Sequence, residues 1–179
     1  VAVNRWLARH IAASSGDGAG QQWVLALESE ALTTFRTFVD DAGCSPARFV
    51  VPNPDEDVCA AVRAAGGIAL PVTTHALFAE LAAKEGPLHA ALAAEGWPGA
   101  FDAVWLDYCG TLDSKAGKLR KRDVATALAA GLVAPGGLFA VTVSERGGAQ
   151  PYRHAAVDEL LEHTAASAAE TRTKLAPLG

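Results

Sequence analysis

The sequence predicts an α/β domain, a three-layer α/β/α sandwich with a mainly parallel five-stranded sheet in the order 3-2-1-4-5. Alanine-rich stretches with apolar residues at three- and four-residue spacing alternate with short aliphatic and β-branched runs. Five such runs are separated by helical patterns, so the strands join through right-handed βαβ crossovers and both faces of the sheet are covered. The 179 residues, half of them apolar and a fifth charged, suit a single domain with a sizeable core.

Residues 4–13 form an opening amphipathic helix with Trp6, Leu7 and Ile11 on one side, and 14–20 (SSGDGAG) form a linker. The first strand is 23–27. A helix over 30–42, with Leu32, Phe35, Phe38 and Val39 in register, ends at Gly43. The second strand, 48–51, is stopped by Pro52 and Pro54. Asp55 and Glu56 then acidify the first turn of a helix that closes at Gly66-Gly67. In the third strand, 68–72, Pro71 requires an edge position or a stop. Helices follow at 74–84 and 88–94, then a fourth strand at 101–106. A helix over 123–132 and the turn Pro135-Gly136-Gly137 lead to the fifth strand, 138–143, and a last helix spans 154–169. Residues 1–179 thus read as one domain: a leading helix and linker (1–20), a βα core (21–146) and a closing helix and tail (147–179).

The formal charge of −5 excludes a protein that coats nucleic acid with its whole surface. No apolar run reaches the length of a membrane helix, and the first twenty residues lack the pattern of a secretory signal, so the chain reads as intracellular. Cys44, Cys59 and Cys109 are too few and too scattered for a disulfide framework or a structural zinc site. The chain opens at Val1 and contains no methionine, as a fragment or processed product would.

Ligands of open α/β sheets bind beyond the carboxyl ends of the strands. The residues expected there are Glu28-Ser29-Glu30, Pro52-Asn53-Pro54-Asp55, Thr73-Thr74-His75, Asp107-Tyr108-Cys109-Gly110-Thr111 and Ser144-Glu145-Arg146. Four of these five sets carry a carboxylate, which suits ribose hydroxyls or a sulfonium or ammonium centre better than a bare pyrophosphate. In 101–114 (FDAVWLDYCGTLDS) an apolar strand runs directly into acid, phenol, thiol and glycine. The plain reading is a strand end with a glycine turn; the functional one puts Asp107 and Tyr108 at the crevice, with Gly110 letting a ligand approach the backbone.

The segment from Trp23 to Arg146, about two thirds of the chain, resembles the class I S-adenosylmethionine-dependent methyltransferases, a Rossmann-like family. VLALES, RFVVPNPD, IALPVTTH and FDAVWLDYCG match its first four strands and their ends, and LVAPGGLFAVTVSER matches its helix, PGG and fifth strand. The resemblance implies S-adenosylmethionine as cofactor, contacted by Glu28 and Ser29, with its ribose near Asn53 or Asp55 and its adenine near Thr73 or Thr74. Asp107 and Tyr108 would position the acceptor, and Glu28 and Asp107 would match the positive cofactor electrostatically. The chain departs from the family in having no glycine between Glu28 and Ala42, where a glycine-rich loop is usual. A non-catalytic scaffold of the same fold is therefore the alternative. LDYCGTLDS is also similar to the motif of haloacid-dehalogenase-like phosphatases, which would make Asp107 the nucleophile but leaves Cys109 where a carboxylic acid is needed.

Lys115, Lys118, Arg120, Lys121 and Arg122 put five cations in eight residues beyond the fourth strand. Cations at the start of a helix oppose its dipole, so helix stability does not account for them. They read either as a solvated turn or as a rim for an anionic acceptor, nucleic acid included, with Lys118, Arg120 and Lys121 as its contacts. His75 reads as a helix-start residue with a minor claim to base chemistry.

Overall fold

A computed structural model of the chain describes residues 2–14, 20–108 and 115–142. Five strands form one all-parallel sheet in the order β3-β2-β1-β4-β5: β1 (Val24–Ala26), β2 (Phe49–Pro52), β3 (Ile68–Leu70), β4 (Phe101–Asp107) and β5 (Val133–Thr142). The helices are α1 (Ala2–Ser14), α2 (Thr33–Arg36), α3 (Glu56–Ala64), α4 (Thr74–Ala83), α5 (Pro87–Ala94) and α6 (Lys115–Ala129). The expected three-layer, Rossmann-like architecture is the one the chain adopts. Cys109, Gly110, Thr111, Ser144, Glu145, Arg146 and the helix expected over 154–169 lie outside the described residues.

Alternating strand residues feed two cores. Val24, Ala26, Phe49, Val51, Ala103 and Trp105 face α1, α2 and α3, where Leu7, Phe35, Phe38 and Val62 pack on them. Leu25, Val50, Leu70, Val104 and Leu106 face α4, α5 and α6, where Leu77, Phe78, Leu92 and Val124 close the other layer. Phe38 and Phe78 are fully buried, each contributing roughly 2–3 kcal/mol of apolar burial. Among the described residues, no helix is long and apolar enough to cross a membrane.

Several boundaries differ from the sequence expectation for physical reasons. β3 stops at Leu70 and is an edge strand, so Pro71 meets both of its conditions. The helix expected over 30–42 is only Thr33–Arg36 in α form and continues as a π turn, Thr37–Asp41. Leu32 precedes it at φ 50 and is 3% exposed, so burial of this side chain outweighs the backbone strain.

The PGG sequence is not a turn before β5 but a break within it. Phe101 pairs with Val133 and Ala103 with Leu138, leaving residues 134–137 bulged opposite Asp102. At Gly137 a Cβ would stand 2.8 Å from the Asp102 carbonyl oxygen, so the bulge packs against the strand only without a side chain.

The largest correction concerns α6, which begins at Lys115 rather than near Asp123. Lysine and arginine propagate a helix well, and Asp123, which resembles an N-cap by type, is instead a buried helix-interior residue with tertiary partners.

Candidate functional site

The sheet reverses its order between β1 and β4. The chain leaves β1 for α2 on one face and leaves β4 for α6 on the other, so the two connections diverge at the carboxyl edge, where open α/β sheets hold their ligands. The β1–β4 ladder ends at Ala26 beside Trp105, and the Leu27 amide still reaches the Trp105 carbonyl. One residue further on, Glu28 and Asp107 stand on the α1–α3 face, whereas Tyr108 stands on the α4–α6 face. Two polar groups result, one on each side of the sheet.

The first is built around Glu28. Its carboxylate accepts from the Phe35 amide at the start of α2, and from Thr34 and the Ser29 amide. Burial pushes its pKa from an ordinary 4.5 up to about 7, although these hydrogen bonds oppose the rise. Thr34 is in turn held by Asn4 Nδ2 of α1 at 3.1 Å. Asn53 Nδ2 donates to the Glu28 carbonyl at 2.9 Å, and Asn53 Oδ1 accepts from the Asp55 amide at 2.9 Å. Asp55 caps α3 by accepting from the Asp57 amide at 2.9 Å. Asp107, exposed at the end of β4, accepts from the Thr142 hydroxyl across the β4–β5 ladder.

The second group was not legible in the sequence. Asp123 is 4% exposed and lies two turns into α6. Its Oδ1 meets His75 Nδ1 of α4 at 2.8 Å, and its Oδ2 accepts from the Tyr108 hydroxyl at 3.3 Å. The Arg120 guanidinium stands 5.4 Å above the Tyr108 ring. Burial raises the pKa of Asp123, with His75 opposing the rise. Burial first, and the Asp123 charge second, raise that of Tyr108, so the phenol remains a donor at neutral pH.

The expected site residues thus divide. Glu28, Ser29, Asn53 and Asp55 come together; Asp107 sits on their face with Thr142; Tyr108 joins His75 and Asp123. Thr73 caps α4 by accepting from the Ala76 amide at 3.2 Å, and Thr74 is buried beside it. Lys118 and Arg122 are exposed on α6, with Arg120 and Lys121 half-buried. His75 and Asp123 are 48 positions apart, so no spacing rule could have joined them.

At the opposite edge, a cleft of about 140 Å³ is lined by His10, Gln22, Asp102 and the glycine bulge. Asp102 already accepts from the Trp23 amide at 2.8 Å and Gln22 Nε2 donates to the Ile11 carbonyl at 3.2 Å, so these groups serve the fold. Cys44 and Cys59 are buried, and burial raises the Cys44 thiol to about 11, away from nucleophilic use. Among the described residues, no group of three or more His, Cys, Asp or Glu could hold a metal ion. No family model, curated protein or solved structure matches the chain.

Proposed function

We propose that the chain is an S-adenosylmethionine-dependent methyltransferase-like protein that takes an anionic acceptor, nucleic acid included. The observation that carries this reading is the reversal of strand order between β1 and β4, with acids and neutral hydrogen-bonding groups at the carboxyl ends on both sides of it. The start of α2 is occupied by the protein's own Glu28 carboxylate, which disfavours a pyrophosphate there and favours a ligand carrying a positive centre. In this reading Glu28, Ser29, Asn53 and Asp55 border the nucleoside, Thr73 and Thr74 its base, and Asp107 the sulfonium. Tyr108 orients the acceptor, while Lys118, Arg120 and Lys121 attract its negative charge. The cofactor, when bound, supplies an electrophilic methyl group; the protein contributes proximity, orientation and charge matching.

Isothermal titration with S-adenosylmethionine and with S-adenosylhomocysteine tests the reading, and heat of binding is expected for both. No heat from either at millimolar concentration overturns it. That outcome favours the second reading, a non-catalytic scaffold, which the absence of any glycine between Glu28 and Ala42 supports.

A further inference from the structure

We propose that His75 is a general base at this edge, with Asp123 as the positioning residue that holds it, and that the acceptor is therefore a protic group that must lose a proton. The proposal rests on the methyltransferase reading for the methyl donor. Asp123 is 4% exposed, and its ionised carboxylate can only accept; in that state the hydrogen bond takes Nδ1–H and leaves the free lone pair on Nε2. Among the described residues Nε2 makes no hydrogen bond, and the His75 side chain keeps 35% of its surface exposed. The phenol of Tyr108 occupies the second oxygen of Asp123, so the carboxylate cannot turn away from the imidazole. Tyr108 directly follows Asp107, the residue assigned to the sulfonium, so in this reading the trio on the α4–α6 face and the donor on the α1–α3 face meet past the end of β4.

A hydroxyl or N–H acceptor approaching from that side would give its proton to Nε2. The acceptor's X–H bond breaks with the electron pair remaining on X, and X bonds to the methyl carbon. The carbon–sulfur bond breaks with its pair going to sulfur. His75 ends as an imidazolium facing Asp123, so the positive charge passes from sulfur to the imidazole and the step balances. Acceptors that carry a free lone pair without a proton would gain nothing from this base.

A purely structural link between α4 and α6 is separable from a base by His75→Asn, whose amide can still donate to Asp123 but offers no base at the Nε2 position. Nitrogen-15 NMR of histidine-labelled protein is expected to show His75 as the Nδ1–H tautomer in its neutral form, and Asp123→Asn should lose that preference. Carbethoxylation of His75 by diethyl pyrocarbonate should be slowed by bound S-adenosylhomocysteine. Transfer of labelled methyl from S-adenosylmethionine to a mixed-sequence RNA should fall by about 10²–10⁴-fold in kcat for His75→Asn, with donor affinity unchanged. Full activity in His75→Asn, or an Nε2–H tautomer, overturns the base while leaving the methyltransferase reading intact. Donor binding without transfer to the RNA removes that acceptor, and an unprotected His75 then overturns the base. Absence of donor binding overturns the methyltransferase reading and the transfer step together.

Discussion

Asn53, at the end of β2, donates its side-chain amide to the main-chain carbonyl of Glu28, at the end of β1, at 2.9 Å. The same side chain accepts from the Asp55 amide, so one residue ties two strand ends to the start of α3. Both bonds stabilise a carboxyl edge that short strands alone would leave loose.

Asn53→Ala removes both bonds and leaves the half-buried Glu28 carbonyl short of a partner, while the exposed Asp55 amide turns to water. A loss of about 1–3 kcal/mol is expected in urea denaturation. A loss within experimental error would show that the strand ends do not depend on this side chain.

Glu28 makes stability depend on pH in a definite direction. Its folded pKa of about 7 exceeds the ordinary 4.5, so between these values the native chain holds a proton that the unfolded chain has released. This contribution is fully present below about pH 4.5, declines through the window and is gone above about pH 7. Its size is at most roughly 3 kcal/mol. The Asp123 pKa is also raised and acts with the same sign. Denaturation of the wild type and Glu28→Gln at pH 5 and pH 8 should show the variant gaining relative stability at the higher pH. A difference independent of pH would mean that Glu28 is ionised in the native state throughout.

Gly136 and Gly137 should respond differently to alanine. At Gly137 the new Cβ meets the carbonyl oxygens of Asp102 at 2.8 Å and Ala134 at 2.9 Å, both backbone, so β5 must shift. A cost of about 2–3 kcal/mol follows. At Gly136 there is open space but a φ of +78, and the cost is about 1 kcal/mol. Thermal melts that rank the two in the opposite order would contradict the bulge packing.

The basic stretch of α6 gives a salt-dependent prediction. Reversing Lys118, Arg120 and Lys121 to glutamate should weaken RNA binding and lower the log–log salt slope by about 2, given roughly 0.7 per single-strand phosphate contact. Acids near this helix start match its dipole, but Arg120 also packs on the Tyr108 ring, so circular dichroism must show the variant folded before the binding is compared. Binding and slope equal to those of the wild type would remove nucleic acid as the acceptor.

By itself, the sequence determined the order of the α-helices and β-strands from residue 4 to residue 142, though not the π turn at Thr37–Asp41 or the 3-10 turn at Pro46–Arg48, because periodicity and punctuation are local signals. Pro71 marked the end of β3, Gly43 followed the helical register of Phe35, Phe38 and Val39, and Asp55 capped α3. The same logic carried the carboxyl-edge residues Glu28, Asn53 and Asp107 to one side of the sheet. It failed where a residue's partner is remote in the chain. Asp123 has the composition of a helix start, yet it lies inside α6 because His75 and Tyr108 satisfy its carboxylate. Pro135-Gly136-Gly137 has the composition of a turn, yet it becomes a bulge because β4 runs past it within backbone contact. Tyr108 and Asp107 are neighbours in sequence, but strand alternation sends them to opposite faces. Strand alternation settles that last point locally; tertiary structure decided the first two because burial, and the need to pair every buried polar group, act between residues that chain position does not relate.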